Sequence, residues 1–164
     1  PIEIKALPEG SLINPGIPCF TIKNTHEDFQ WLPNYLESII TVQLWKVMTA
    51  ASAARLFKLI AEEYAIKTTG SVEGTAFQNH DFSLRGQSGY ESAGAVGAAF
   101  LLSSMGTDNI PAFHHISQYY NTDVISNPPA FSIPAGEHSC TTLGIQIKAR
   151  DLVKNNSHYA DVVL

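Results

Sequence analysis

Two cysteines in 164 residues, Cys19 and Cys140, are too few and too far apart for a disulfide framework, so a reducing, intracellular setting is the expectation. Charge is also sparse. Charged residues make up 15% of the chain, and its ten Lys and Arg are spread thinly against a net charge of −5, a balance that argues against a nucleic-acid partner. Long apolar runs are missing: the longest, Ala93 to Leu102, covers ten residues, half of the roughly 20 that a membrane-spanning helix needs. No charged-then-apolar leader opens the chain, so no signal peptide is expected, and the first residue is Pro1 rather than methionine, which leaves room for sequence upstream. Neither G-x-G-x-x-G nor G-x-x-x-x-G-K-[ST] occurs. What remains is a chain with 45% hydrophobic residues, enough to bury the core of one ordinary soluble domain.

Periodicity then gives the elements. Ile2, Ile4 and Ala6 alternate with polar neighbours, Pro8-Glu9-Gly10 turns the chain, and Phe20 and Ile22 continue as a second strand. From Pro33 the period becomes helical, with Leu36, Ile39 and Ile40 in one helix. Ala53, Phe57, Ile60 and Tyr64 mark a second, stopping at Lys67 and Gly70. A strand is expected near residues 76–85. Ser88 and Glu91 then form a capping box for an Ala- and Gly-rich helix that runs to about Ser103 and can lie close to a sheet. Asn109 and Pro111 open a short helix through Tyr120, and "PPAFSIPAGEHS" reads as another strand. Alternating strands and helices from residue 70 onward predict parallel strands with helices outside, an α/β arrangement. The N-terminal β pair belongs to a different sheet, which makes the whole α+β.

Functional groups in such folds gather at the carboxyl ends of parallel strands. Three such ends are readable: Phe82 to Arg85, Thr107-Asp108, and Ser132 through Glu137-His138. Together they offer an aromatic face, a guanidinium, a carboxylate expected to be buried, and a carboxylate beside an imidazole. That set suits a flat heteroaromatic ring with a polar substituent, plus phosphate; Arg85-Gly86 before a helix start is a common anion-binding junction. Plainer roles compete at each position. Phe82 is core in most settings, Asp108 suits a helix cap, Arg85 has Asp81 and Glu91 as available ion-pair partners, and His138 reads as a polar residue at a strand end. Other patterns carry less. Gly86-Gln87-Ser88-Gly89 lacks the final glycine of a G-x-S-x-G elbow, because Tyr90 stands there. His114 and His115 are adjacent, point about 100° apart on a helix and cannot pinch one metal, so a solvated face is the better reading. Asn155-Asn156-Ser157 is a sequon with nothing else to suggest secretion.

The segments "PIEIKALPEGSLI", "FTIKNTHEDFQWLPNYLES", "HDFSLRG", "GTD" and "SIPAGEHS" occur here in the order in which they occur in the nicotinamide phosphoribosyltransferase family, which the chain resembles over residues 1 to about 144. The resemblance implies part of a type II phosphoribosyltransferase fold, an irregular α/β barrel beside a mostly β domain. Residues 1–32 would be a β-rich segment of the second domain, and residues 33–144 the barrel portion with the nicotinamide pocket and histidine strand. Residues 145–164 are an unmatched tail, its first half suited to a helix and Ala160 to Leu164 to a strand. The implied reaction joins nicotinamide to phosphoribosyl pyrophosphate, giving nicotinamide mononucleotide and pyrophosphate in NAD salvage. Mg²⁺ and ATP hydrolysis would be involved, in a cytoplasmic homodimer with shared sites. Phe82 is similar to the aromatic that stacks on the ring, Arg85 to the arginine beside ring and phosphate, and Asp108 to the carboxylate that reads the carboxamide. Ser132 would line the same pocket. His138 resembles the phosphorylated histidine, with Glu137 its neighbour. No residue is implied as a direct metal ligand. The family's further phosphate-binding loops and its partner-supplied tyrosine are not among these 164 residues, so a segment of a longer enzyme or a short homologue is expected. A binding module without catalysis and a nicotinate-using relative are the alternatives.

Overall fold

The structure, a computed structural model, describes residues 1–155. It divides into two units, residues 1–132 and residues 133–164. The strand expected over Ala160 to Leu164 lies outside the described residues.

In the first unit β1 (Ile2–Ala6) pairs antiparallel with β2 (Phe20–Asn24), Ile4 opposite Ile22, as the alternating pattern predicts. A short 3₁₀ turn at Glu27–Phe29 leads into α1, Leu32–Thr69. α1 is one helix of 38 residues where the sequence suggested two. The physical reason lies in its punctuation. Its single proline is in the first turn, where a missing N–H costs nothing, and no glycine occurs before Gly70. Gly70 ends the helix in the left-handed region at φ 75°, its N–H donating to Ile66 O at 3.1 Å.

The expected strand over 76–85 shrinks to two residues, β3 (His80–Asp81), between 3₁₀ turns at Thr75–Phe77 and Ser83–Gly86. Asp81 causes the second break. Its Oδ1 accepts from Ser83 N at 2.8 Å, a side-chain turn that diverts the backbone from the ladder. α2 (Tyr90–Phe100) begins after Gly89, whose extended backbone serves as N-cap with no side-chain cap. The Ser88–Glu91 capping box is therefore not formed, and Ser92 Oγ bonds Gln87 Oε1 at 3.5 Å instead. The helix also ends at Phe100, with three turn residues after it where the sequence suggested helix to about Ser103.

β4 (Gly106–Thr107) lies parallel to β3, and α3 (Ile110–Tyr120) follows as expected. The strand read in "PPAFSIPAGEHS" reduces to one parallel bridge, Phe131 to Gly106. Pro128, Pro129 and Pro134 explain this, since each removes a ladder donor. At the other end of α3, Tyr120 donates its hydroxyl to the Glu9 carboxylate, and this bond to an anion pushes the phenol up to about 12. The β1–β2 connection is thereby tied to α3.

The buried core is built from small residues: Ala54 of α1, Ala93, Val96 and Ala99 of α2, Ala112 of α3, and Ala130. Two glycines let α2 and α3 approach. A Cβ on Gly97 would sit 2.5 Å from Asn109 Nδ2 and 2.8 Å from Ala112 Cβ; one on Gly94 would sit 2.9 Å from Pro111 O. Many large side chains of α1 remain exposed, Val42, Trp45 and Phe57 among them. In the second unit α4 (His138–Asn155) is the one described helix. Among the described residues no helix is long and apolar enough to cross a membrane.

The glycine contacts set up a matched test. Alanine normally stabilises a helix interior over glycine by about 1 kcal/mol, and a Cβ on Gly144 of α4 meets nothing within 4 Å. Gly144→Ala should therefore raise helicity by circular dichroism. Gly97→Ala should lower the midpoint of urea unfolding, because overpacking costs roughly 1–3 kcal/mol and the atoms that must move belong to buried Asn109. Equal effects of the two substitutions would refute the close approach.

Candidate functional site

The parallel pair β3–β4 sets two chain segments side by side and aims their carboxyl ends the same way. Phe82 follows β3, and Arg85 lies in the turn after it. Asp108 follows β4. Asp108 N donates to Asp81 O at 3.1 Å, which fixes the two ends in register. Phe82, Leu84, Arg85 and Asp108 line one cleft of ≈ 280 Å³. Three of the residues singled out from the sequence therefore meet in one place.

The fourth joins them through a hydrogen bond. Thr107 N donates to Phe131 O at 3.0 Å, and Phe131 N to Met105 O at 2.8 Å. Ser132 is thereby held beside the end of β4, and its Oγ donates to Asp108 Oδ1 at 2.6 Å. A residue that the sequence pointed to only within a motif enters here as well. His80 of β3 has only 9% of its side chain exposed, and its Nε2 lies 3.2 Å from the same Oδ1. The Nε2–H is off the line of a straight hydrogen bond, so this is a close polar contact. The imidazole also packs on Phe82, ring centroids 4.8 Å apart and planes at 37°. His80 was legible as the first letter of "HDFSLRG", two residues before Phe82 on the same face of a strand.

Asp108 is exposed, not buried as expected; the buried carboxylate is Asp81, one step after His80. Asp108 does not cap α3 either. Asn109 is the N-cap residue, and Asn109 N donates to Thr107 Oγ1 at 2.9 Å. The Asp108 carboxyl group is held below the usual carboxylate range, first by the Ser132 hydrogen bond and then by His80, against a smaller opposing effect of desolvation. Arg85 makes no ion pair among the described residues, with Asp81 and Glu91 included. Phe82 is 52% exposed and lines the cleft with a free part of its ring.

The helix start after Arg85-Gly86 opens elsewhere. Ser88 to Ser92 border a larger hollow of ≈ 700 Å³ together with Trp45 and Lys46 of α1 and His114, His115 and Tyr119 of α3. The strand-end cleft is not built from that helix terminus. His114 is exposed, whereas His115 is half-buried with its ring on Tyr119, centroids 4.6 Å apart. Burial pushes His115 down, partly offset by Glu9.

Glu137 and His138 lie in the second unit. His138 is the first residue of α4 and its side chain is fully exposed, Nδ1 4.0 Å from Glu137 Oε1. The expected strand end is thus a helix start. Glu137 Oε1 accepts from Ser139 N at 3.4 Å and Ser139 Oγ at 3.3 Å, satisfying one of the orphan donors of the first turn. Among the described residues no three His, Cys, Asp or Glu side chains gather to hold a metal ion.

The contacts of Asp108 set its pH behaviour. Its folded pKa is lowered, so its charge and its bond to Ser132 are complete above the ordinary aspartate range and disappear only as pH falls through the lowered value. Followed by carboxyl-carbon NMR, the Asp108 midpoint should lie below that of a model aspartate. Ser132→Ala should move it upward, and an unmoved midpoint would contradict the geometry.

Comparisons with known proteins give the family of the chain. A family model described as the nicotinate phosphoribosyltransferase (NAPRTase) family matches residues 77–161, the segment that carries the cleft and the Glu137-His138 pair. The chain is 42% identical over 144 residues to a nicotinamide phosphoribosyltransferase of Acinetobacter baylyi, covering 88% of this chain and 28% of that protein. It is 36% identical over 143 residues to one of Xanthomonas campestris pv. campestris, covering 87% and 30%. A third, from Mycoplasma pneumoniae, is 34% identical over 125 residues, 74% of this chain and 25% of that protein. The chain thus spans less than a third of the length of these curated relatives. With more than half of its residues matched by the family model, the chain belongs to the nicotinate phosphoribosyltransferase family.

Proposed function

We propose that this chain carries the ring-binding pocket of a nicotinamide phosphoribosyltransferase acting in NAD salvage. The reaction would form a bond between the ring nitrogen of nicotinamide and C1 of phosphoribosyl pyrophosphate, while the bond from C1 to the pyrophosphate oxygen breaks. The observation that carries the reading is the convergence of Phe82, Arg85 and Asp108 on one cleft from the ends of two parallel strands. Each offers what one part of the substrates requires. The exposed part of the Phe82 ring can stack on a flat heteroaromatic, a contact worth about 1 kcal/mol. Arg85, free of ion pairs among the described residues, supplies a cationic fork for a phosphate. Asp108 supplies a carboxylate that accepts from an amide NH₂ and repels a second carboxylate. Nicotinamide and nicotinate differ only there, so this group favours the amide. Holding ring, phosphate and sugar in line is the main requirement of a transfer through a cation-like sugar.

The rest of the assignment follows the family. Residues 1–32 belong to its second, mostly β domain, and residues 33–144 to its irregular barrel. The active protein is a cytoplasmic homodimer with shared sites. His138, exposed at the start of α4, is the phosphoryl acceptor when ATP is hydrolysed, with Glu137 beside it. Among the described residues no three His, Cys, Asp or Glu side chains gather, so Mg²⁺ in this reaction would be held largely by the phosphates of its substrates.

Binding of nicotinamide and nicotinate, measured by saturation-transfer NMR, tests the pocket. Phe82→Ala should weaken nicotinamide binding by roughly fivefold, the equivalent of one aromatic contact. Asp108→Asn should lower the ratio of nicotinamide to nicotinate affinity. A ratio that stays put in Asp108→Asn would remove the recognition role of this carboxylate, and equal binding by wild type and Phe82→Ala would remove the stacking role.

A further inference from the structure

His80 is a largely buried titratable side chain that touches both Asp108 and Phe82, and the proposed reaction gives it no task. Its environment is unusual for a buried imidazole. Among the described residues neither ring nitrogen has an aligned hydrogen-bond partner. Nδ1 is pressed against Gly106, where a Cβ would come within 2.6 Å of it. Nε2 faces Asp108 Oδ1 at 3.2 Å. A buried donor at Nδ1 would have no acceptor, which is costly. The neutral form with its hydrogen on Nε2 instead sets the donor beside Asp108 Oδ1, 3.2 Å away though out of line. The absence of a Cβ at Gly106 leaves room for the ring in this place, and the Nε2 tautomer turns a polar N–H toward the carboxylate.

Both groups that approach Asp108 choose the same oxygen. Ser132 Oγ and His80 Nε2 converge on Oδ1, while Oδ2 has no partner among the described residues. The carboxylate is therefore held by one oxygen and offers the other. The same imidazole packs on Phe82, so one buried ring supports both the stacking aromatic and the acceptor.

We propose that His80 is a positioning residue for ring recognition: with Ser132 it engages Asp108 Oδ1, leaves Oδ2 as the acceptor for a carboxamide NH₂, and braces Phe82 against the ring. The proposal rests on the reading of Asp108 and Phe82 as nicotinamide contacts and adds the residue that aligns them. It gives the nicotinamide-over-nicotinate preference a dependence on a side chain that touches neither ligand. The charged groups around Asp108 in this unit are His80 and Asp81 from β3 and Arg85 from the turn that follows. Asp81 directs its carboxylate at Ser83 N and Asn109 Nδ2, away from Asp108. His80 is thus the titratable neighbour in contact.

The test compares wild type, His80→Phe, His80→Gln and Asp108→Asn on the full chain, with nicotinamide and nicotinate as separate probes. His80→Phe keeps an aromatic against Phe82 but removes the polar N–H; it should lower the nicotinamide-to-nicotinate affinity ratio by about fivefold, the scale of one modest polar contact. His80→Gln restores a donor of similar reach and should recover much of the ratio, a rescue that a purely structural role does not predict. A second readout avoids reliance on a buried substitution. In wild type, nicotinamide should shift the ¹⁵N signal of His80 Nε2, and that shift should disappear in Asp108→Asn. A changed ratio in Asp108→Asn with an unchanged ratio in His80→Phe would overturn the role of His80 alone. An unchanged ratio in Asp108→Asn would overturn the underlying reading and the proposal with it. Absence of the Nε2 shift in wild type would also overturn the proposal, whether or not His80→Phe folds.

Discussion

The buried bond between Asn109 and Asp81 is the constraint from which the cleft follows. Asn109 is fully buried and Asp81 is 3% exposed. Asn109 Nδ2 donates to Asp81 Oδ2 at 3.0 Å and to Ala93 O at 2.9 Å, so one amide joins the end of β3, the start of α3 and the middle of α2. The remaining carboxylate oxygen of Asp81 accepts from Ser83 N and turns the chain after two strand residues. That turn places Phe82 and Arg85 at the cleft rather than along a continuing strand. The main chain of Asp81 then accepts from Asp108 N, which sets Asp108 opposite them. A buried carboxylate is tolerable because its donors are supplied; a lone unmatched group costs about 1–3 kcal/mol, and a charged one more. The absence of a Cβ at Gly97 belongs to the same constraint, since any side chain there would collide with Asn109.

Local order was legible where punctuation and period agreed. The β1–β2 pair, the parallel relation of the segments around Phe82 and Thr107, and α3 from just after Asn109 all follow from alternation, proline placement and helical spacing. Where structure and expectation differ, a local bond or a backbone limit outweighs the hydrophobic period. Asp81 cut a strand short, and Gly89 displaced Ser88 as the N-cap. The prolines around Phe131 reduced a strand to one bridge. α1 runs unbroken through Ile39, Ile40, Thr41 and Val42 because β-branched residues lower helix propensity by only tenths of a kcal/mol each, too little to break a helix that has no glycine or internal proline.

The same contrast separates the residues of the cleft. Phe82, Arg85 and Asp108 could be singled out because aromatic, cation and carboxylate at strand ends suggest a ring and a phosphate. Ser132 was expected only to line the pocket and His80 had no role at all, because the contribution of each is directional. A serine hydroxyl 24 residues from its acceptor becomes meaningful only when Phe131 bridges to β4. Asp108 illustrates the limit well: its chemistry was readable, while its exposure and its partners were consequences of packing.

In the second unit two opposing electrostatic effects meet at His138. A phosphoryl group on an imidazole at the first residue of α4 would lie near unpaired N–H groups and the positive end of the helix, which favours an anion by roughly 0.3–1 kcal/mol at an exposed site. The Glu137 carboxylate, 4.0 Å from Nδ1, opposes it. At that distance in water a unit charge pair is worth about 1 kcal/mol, and salt reduces this further. Attraction and repulsion are therefore of similar size, so neither stabilises a phosphorylated His138 strongly. Glu137 adds a second effect, because its Oε1 already occupies Ser139 N, the kind of donor a phosphoryl oxygen would seek. On the proposed reading of His138 as a phosphoryl acceptor, the helix start and Glu137 together therefore add little net bias for or against the phosphorylated side chain.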